Sequence, residues 1–346
     1  MRAFIKYAFA VLLLLLFVLL LSNASAAADA ARNALSLCFE MVLPSLFPFF
    51  VFSSLFISIG GAEALRRPLS PLMQPLFGVG GAGASALLLG LTGGYPVGAR
   101  TVAELYSGGL CSKRDAEKLL AFCNNSGPGF ILGVVGAGVF GSTADGILLY
   151  LIHVLAALAA GILFRRGRRT KWHRADNRRR GTEAALEAAA ESESLRRRAV
   201  SLPSAKKAGT TQAFIDAVTS SFSGCINICG FVLFFSVLLA LLRGAGILAL
   251  FSSAAGLLGM SEACSGALAA GLLELTNGAA LLVGIAPPRA AFILAAFLLG
   301  FGGLSVHCQA MTFIAPAGLS ARKYFVGKCA QAALSALIAV PVSALM

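Results

Sequence analysis

The sequence contains few charged residues. Asp, Glu, Lys and Arg make up 12% of its 346 residues, whereas 58% of them are hydrophobic. Soluble domains carry about 25% charged residues. The apolar residues form long runs rather than segments of about ten alternating residues, which excludes a membrane β-barrel. The composition therefore predicts an all-α integral membrane protein with several spans in the cell membrane.

Motifs for metal binding, disulfide formation and nucleotide hydrolysis are also missing. The eight cysteines form no CxxC pair and no His/Cys ligand spacing, and most lie in apolar segments, where cysteine behaves as a small hydrophobic residue. No Walker motif occurs, so we do not expect ATP hydrolysis. The glycines of residues 78–83 mimic a dinucleotide-binding loop, but no strand precedes them. We expect no metal, no cofactor and no enzymatic activity.

The positive charge is concentrated in one segment. The net charge is +13, and 14 of the 28 Lys and Arg residues lie between Arg165 and Lys207. Such a cluster beside a span is the positive-inside signature rather than a DNA-reading surface, so nucleic acid is not an expected partner. Within this segment, the sequence predicts a short helix from Thr182 to Val200. We interpret residues 165–212 as a cytoplasmic linker, with contact to membrane lipids as an open alternative.

The linker separates two predicted membrane repeats. Each repeat combines spanning helices with a re-entrant hairpin and a following broken helix, and the two repeats are inverted relative to each other. We predict a signal-anchor helix over residues 1–30, or a cleaved signal peptide, then repeats over 31–164 and 213–346. The predicted hairpins lie within 71–106 and 264–285, and the broken helices are 119–140 and 290–313.

The orientation follows from the distribution of basic residues. With Arg100, Lys118 and Lys328 counted as cytoplasmic, 25 of the 28 Lys and Arg residues lie inside, and the C-terminus lies outside. The predicted internal repeat aligns residues 274–278 with residues 90–94, and residues 301–305 with residues 122–126. Glu40, one turn before Pro44, is either a functional intramembrane carboxylate or an interfacial residue.

The most unusual stretch lies in the first broken helix. Residues 122–128 read Phe-Cys-Asn-Asn-Ser-Gly-Pro inside an apolar run long enough to cross a bilayer. Each polar group that is unsatisfied in lipid costs several kcal/mol. A similar stretch, residues 301–309, occurs in the second half. Two such spans predict a binding site at mid-membrane depth, with helix–helix hydrogen bonding as the alternative.

The predicted site collects polar side chains from both hairpins and both broken helices. Half-helix N-termini directed at this site favour anionic groups. Glu274 is interpreted as a site for a coupling proton or cation, as a partner of a cationic or hydroxylated substrate group, or as a structural carboxylate. His307 is either a proton shuttle or a helix cap. The candidate substrate-binding residues are Thr92, Tyr95, Asn124, Asn125, Ser126, Glu274, Thr276, Asn277, Ser305, His307 and Gln309.

Four motifs resemble the sporulation integral membrane protein family of the YlbJ type, whose members contain nucleoside-recognition (Gate) domains. They occupy residues 43–50, 93–99, 122–128 and 300–309. The order of a hairpin followed by a broken helix is also similar to that of concentrative nucleoside transporters, although no sodium-site signature is present. The resemblance implies a role in spore formation, with dipicolinate as the suggested solute. By that analogy Thr92, Asn124, Asn125, Ser126, Glu274, Thr276, Asn277 and Ser305 would line the site.

These observations favour a secondary transporter of a small organic solute, most simply an anion. The alternatives are a nucleoside-type solute, or a non-transporting scaffold or sensor in the sporulation membrane. An intramembrane enzyme with Ser126 as nucleophile and His307 as base is a weaker hypothesis. The expected partners are the solute, membrane lipids and a coupling proton or cation, and a homo-oligomer is compatible with the sequence.

Overall fold

The computed structural model describes residues 2–165, 210–256 and 259–345, and these residues form helices and connecting turns without strands. The helix predicted over 182–200 lies outside the described residues. The first half contains α1 (Arg2–Ser22), α2 (Ala24–Leu37), the π-helical turn π1 (Cys38–Val42), α3 (Leu43–Ser58), α4 (Gly61–Phe77), α5 (Gly83–Gly93), α6 (Val97–Ser107), α7 (Lys113–Cys123), the π-helix π2 (Gly129–Val139) and α8 (Thr143–Leu163).

The second half contains α9 (Thr210–Gly244), α10 (Ile247–Gly256), α11 (Glu262–Leu273), α12 (Leu275–Ala280), α13 (Pro288–Phe301), α14 (Gly303–Ile314), α15 (Arg322–Val342) and a final 3-10 turn (Ser343–Leu345). Helix α8, most of α9, the α13–α14 pair and α15 are each long and apolar enough to cross a membrane. The prediction of a multi-pass helical membrane protein is confirmed. Helices α1 and α2 meet at a bend of 94°.

The two prolines near the start of α3 distort the helix without ending it. Proline cannot donate the usual backbone hydrogen bond, and π1 lies directly before Pro44. Glu40 lies in this turn, is exposed, and accepts a hydrogen bond from Ser36 Oγ at 2.6 Å. The structure therefore places Glu40 on the protein surface and not in the buried polar site.

Helices α5 and α6 form the first hairpin. Each has 11 residues, so each is about 16 Å long, half the thickness of a bilayer core. The chain reverses at Gly94, whose φ of +80° is in the left-handed region that favours glycine. A Cβ atom at Gly90 would lie 3.1 Å from Gly98 Cα, so the two helices fold back on each other. Re-entry from the cytoplasmic side stays a prediction.

The second half repeats this order of elements. Helices α11 and α12 reverse at Glu274, and a Cβ atom at Gly278 would overlap Gly271 Cα. Glu274 therefore corresponds to Gly94, 180 positions earlier, and the predicted pairing of 274–278 with 90–94 is shifted by four residues. Helices α8 and α15 both have 21 residues and begin 179 positions apart. The inverted orientation of the two halves stays a prediction.

Each hairpin packs against the break in the following helix. The Cys123 carbonyl, at the end of α7, fills the space beside Gly90 and Gly98, where a side chain would overlap it. In the second half, a Cβ atom at Gly303 would lie 2.7 Å from the Gly271 carbonyl. Helix α15 packs against α7, α8 and α13. The centre of α15 thus lies beside the first break.

Candidate functional site

Lys328 lies at the centre of a buried polar cluster. Its side chain is 0% exposed, and it lies on α15, a helix that is long and apolar enough to span a membrane. The Nζ atom donates to Tyr95 Oη at 2.8 Å, to the Asn124 carbonyl at 3.0 Å and to Gln331 Oε1 at 2.8 Å. It also lies 4.8 Å from the centre of the Tyr95 ring. One ammonium group thereby joins the first hairpin, the first break and α15.

All three partners of Lys328 are hydrogen-bond acceptors. The Tyr95 hydroxyl donates its own hydrogen to the Leu299 carbonyl at 2.8 Å, and the Gln331 amide donates to Asn125 Oδ1 at 2.8 Å. The Tyr95 and Gln331 oxygens therefore both accept from Lys328. Within the described chain, no carboxylate lies within ion-pair distance of Lys328. No carboxylate of the described residues is therefore placed to balance a charge on Lys328.

Residues 124–126 form the break between α7 and π2. Asn124 Oδ1 accepts from the Ala99 N–H at 3.3 Å, and its Nδ2 donates to Tyr324 Oη at 3.3 Å. Asn125 Nδ2 donates to the Phe122 carbonyl at 2.8 Å. These residues are at most 2% exposed, so their side chains replace the hydrogen bonds that the broken helix lacks. They also connect α6 to α15.

Two histidines at the edge of the cluster each have one nitrogen without a partner. His153 Nε2 accepts from the Ser126 N–H at 3.1 Å, so the neutral ring carries its hydrogen on Nδ1, which is buried and unpartnered. His307 Nδ1 lies 2.9 Å from Tyr324 Oη. That hydroxyl accepts from Asn124, and His307 Nδ1 is the one acceptor that the described residues offer for its hydrogen. This assignment puts the His307 hydrogen on Nε2, which is also buried and unpartnered.

The cluster therefore contains two buried histidine N–H donors without a partner. Besides the two histidine N–H groups, the Ser335 hydroxyl is fully buried and unpartnered. The Lys328 ammonium adds a charge to these donors. Buried polar groups normally have a partner, and these groups would all be satisfied by oxygen acceptors. The chemistry of the cluster is suited to a small anion.

Glu274 and Asn277 form a second, separate polar group. Glu274 is 2% exposed, and its Oε2 accepts from Asn277 N–H at 2.7 Å and from Asn277 Nδ2 at 2.8 Å, so it caps α12. Asn277 also donates to Ser236 Oγ on α9 at 3.1 Å. In the described residues, no hydrogen bond joins this group to the Lys328 cluster. Thr276 beside it is half-buried.

The other predicted residues divide into three sets. Tyr95, Asn124, Asn125, Ser126 and His307 all belong to the Lys328 cluster. Ser305 and Gln309 on α14 are buried and bonded to each other at 3.2 Å. Thr92 is exposed, and its hydroxyl donates to the Leu88 carbonyl at 2.9 Å. Thr92 therefore lies outside the cluster.

Sequence reasoning missed the contribution of α15. Tyr324, Lys328, Gln331 and Ser335 recur every three or four residues, so they share one helix face, and all four are 0% exposed. A polar stripe at that spacing in an otherwise apolar helix was a visible signal. Sequence reasoning interprets His153, in the middle of a span, as a hydrogen-bonding packing residue or a proton relay, and does not place it at the site.

Three basic residues that were counted as cytoplasmic are buried. Besides Lys328, Arg100 is 5% exposed and donates to Glu104, Ser54 and Ser220. Lys118 is 6% exposed and donates to the Gly78 carbonyl at 3.0 Å. Internal hydrogen bonds surround these three side chains, so their charge alone does not mark the cytoplasmic side, and the orientation stays a prediction.

The arrangement does not match a nucleophile–base pair. Ser126 is bonded to His153 through its backbone, whereas His307 contacts Tyr324. In the described part of the chain, no hydrogen bond joins Ser126 to His307, and no group of three His, Cys, Asp or Glu residues could hold a metal ion. These side chains instead form one buried hydrogen-bonded centre that joins the first hairpin, the first break and α15.

The fold and this cluster define a multi-pass helical membrane protein with a buried polar centre formed by broken helices. Residues 39–160, which contain the first hairpin and the first break, match the Gate family, described as "Nucleoside recognition". The chain is 32% identical over 326 residues to the Sporulation integral membrane protein YlbJ of Bacillus subtilis (strain 168), covering 92% of this chain and 78% of that protein.

The chain therefore belongs to the family of sporulation integral membrane proteins of the YlbJ type, and the resemblance found in the four sequence motifs is confirmed. No solved structure matches the chain.

Proposed function

We propose that this protein is a secondary transporter that moves a small organic anion across a membrane during sporulation. The observation that carries the proposal is the fully buried Lys328 side chain, whose Nζ has three oxygen partners and, in the described residues, no carboxylate partner. We infer from the three acceptors that Lys328 is an ammonium in the anion-bound state. An isolated buried charge is costly. A bound anion would compensate this cost, so the cluster favours anionic over neutral solutes.

The unpartnered donors support a solute with several acceptor oxygens. The N–H groups of His153 and His307 and the hydroxyl of Ser335 are buried and lack partners. Charge-assisted hydrogen bonds from such groups to a carboxylate are stronger than bonds between neutral groups. Dipicolinate, the solute that the family resemblance suggests, carries two carboxylates on a pyridine ring and has this chemistry.

A nucleoside-type solute is the second candidate, because the Gate match covers the first hairpin and break. A nucleoside is neutral and cannot balance the Lys328 charge. The two candidates therefore differ in their dependence on Lys328. Loss of the ammonium should abolish recognition of an anion but weaken nucleoside binding only through lost hydrogen bonds.

The test is uptake of radiolabelled dipicolinate and of a labelled nucleoside by proteoliposomes that contain the purified full-length protein. We expect the wild type to take up dipicolinate. Lys328→Met should reduce this uptake by about tenfold or more, since a hydrogen bond to a charged group contributes about 1.5–3 kcal/mol. Lys323→Met is the matched control, because Lys323 lies on the same helix and pairs with Glu117 at 3.1 Å with its side chain 36% exposed.

Each outcome decides between the candidates. Uptake of dipicolinate that requires Lys328 but not Lys323 supports the proposal. If only the nucleoside is taken up, the transported solute is a nucleoside and the anion proposal is contradicted. If folded wild-type protein moves neither solute, the transport proposal is contradicted, and the scaffold or sensor alternative gains support.

A further inference from the structure

We propose that Lys328 is the residue that carries a coupling proton, so that the protein moves its anion together with one proton. This inference rests on the proposed function and specifies its energy source. It starts from the hydrogen bonds of Lys328, which lies on α15 at the contact with the first hairpin and the first break.

The number of acceptors around Lys328 matches the protonated form of its side chain. An ammonium group has three N–H donors, and Lys328 Nζ has three oxygen partners. A neutral amine has two N–H groups and a lone pair. Loss of one proton must therefore leave one of these three oxygens without a donor.

The oxygen that loses its donor determines the structural consequence. Gln331 lies three residues after Lys328 on the same helix, so its bond survives any movement of the hairpin. Tyr95 is at the tip of the first hairpin, and Asn124 is at the end of α7. Deprotonation consequently weakens the contact between α15 and one of these two elements. The proton on Lys328 thus holds the hairpin and the break against α15.

Proton binding and anion binding favour each other at this position. The buried ammonium has no carboxylate partner in the described chain, so a bound anion stabilises it, and by linkage the ammonium stabilises the bound anion. On the side where the anion leaves, an N–H bond of Lys328 breaks, its electron pair stays on nitrogen, and the proton passes to water. One proton then crosses the membrane with each anion.

Other titratable groups near Lys328 already have compatible roles in their neutral forms. The two histidines each accept a hydrogen bond on one ring nitrogen, and the two tyrosine hydroxyls donate or accept as neutral groups. Glu117 pairs with Lys323 at the start of α15. The titratable side chains that α7, α8, α14, α15 and the hairpin place around Lys328 are Cys123, His153, His307, Tyr324, Cys329 and Tyr95.

The first test measures proton movement in proteoliposomes loaded with the pH dye pyranine, with the membrane potential clamped. An inward dipicolinate gradient should acidify the interior of wild-type vesicles, and an acidic exterior should drive accumulation of dipicolinate by about tenfold per pH unit. Lys328→Arg keeps the positive charge but does not titrate. Any dipicolinate that this variant still moves should cross the membrane without acidification and without pH-driven accumulation.

The second test needs no solute. Backbone hydrogen exchange of residues 94–100, corrected for the intrinsic effect of pH, reports how firmly the hairpin tip is held. In the wild type and in Lys323→Met, protection should fall by about tenfold or more as the pH is raised through the titration of Lys328. In Lys328→Met it should be low at every pH, and in Lys328→Arg high at every pH.

The outcomes separate this inference from the proposed function. Dipicolinate uptake without proton movement would overturn the inference and leave the transporter proposal intact. If no dipicolinate moves, the transporter proposal fails, and the exchange experiment still decides the role of Lys328. If the hydrogen-exchange protection of residues 94–100 depends on pH in the same way in Lys328→Met as in the wild type, that role is overturned. If Lys328→Met loses this pH dependence, the role is supported.

Discussion

Gln331 connects the charged centre of the cluster to the first break. Its Oε1 accepts from Lys328 Nζ, its Nε2 donates to Asn125 Oδ1, both at 2.8 Å, and the residue is 0% exposed. We expect Gln331→Leu to remove one of the three acceptors of Lys328 Nζ and the donor that Asn125 Oδ1 receives from Gln331. Each loss costs about 1–3 kcal/mol, so the unfolding temperature of the purified protein in detergent should fall by several degrees.

Gln212→Leu provides the matched control. Gln212 is exposed on α9 and donates to Asp216 at 2.8 Å. Its loss should change stability by about 0.5 kcal/mol at most. Equal shifts in unfolding temperature for the two variants would show that burial of the Gln331 contacts contributes nothing.

The individual basic residues show where sequence reasoning was insufficient. Arg100, Lys118 and Lys328 have the same chemistry as the arginines of the linker, and composition cannot distinguish them. Their burial depends on distant partners such as Ser220 for Arg100 and Tyr95 for Lys328. Only packing of separate helices brings these partners together.

At the scale of elements, the close approach of the first hairpin to the end of α7 depends on glycine. A Cβ atom at Gly98 would overlap the Cys123 carbonyl and lie 2.9 Å from Asn124 Cα. Alanine normally stabilises a helix relative to glycine by about 1 kcal/mol. We expect Gly98→Ala to have the opposite effect and to destabilise the protein by at least about 1–3 kcal/mol, measured by thermal unfolding together with solute uptake.

Gly230→Ala tests whether the effect is specific to that contact. Gly230 lies inside α9, and nothing lies within 4 Å of an added Cβ atom. This variant should be as stable as the wild type or slightly more stable. If Gly98→Ala unfolds no earlier than Gly230→Ala, the hairpin does not pack against α7 as described.

The breaks themselves were largely predictable. Gly, Pro and adjacent carboxamides in an apolar run mark residues 94–96 and 124–128, because such backbone must be satisfied by other protein groups. The register of the second hairpin was not predictable to the residue. Glu274 ends α11 by capping α12, a role that carries no strong signal in sequence.

For the whole molecule, the orientation in the membrane is the decisive prediction. After the basic linker, three helices or helix pairs are long enough to cross: within α9, across α13–α14, and in α15. Three crossings from a cytoplasmic linker place the C-terminus outside. Alkaline phosphatase, which is active only outside the cytoplasm, should therefore be active when fused after Met346 and inactive when inserted in the linker.

The reverse pattern of phosphatase activity would contradict the inverted arrangement of the two halves. The linker insertion is also the internal control, since it shows that an inactive fusion is expressed and stable. Because Arg100, Lys118 and Lys328 are held by internal hydrogen bonds, the prediction depends mainly on the other basic residues.

The sequence by itself determined the class of protein, the presence of two halves, the position of the first break and the family. These properties follow from hydropathy, charge distribution and local backbone chemistry, which neighbouring residues specify. The tertiary structure alone decided that Lys328, Gln331 and His153 join the residues of the first break, and that Glu274 and Thr92 lie apart from them. Those relations depend on contacts between residues up to 233 positions apart, and only the packing of the helices creates such contacts.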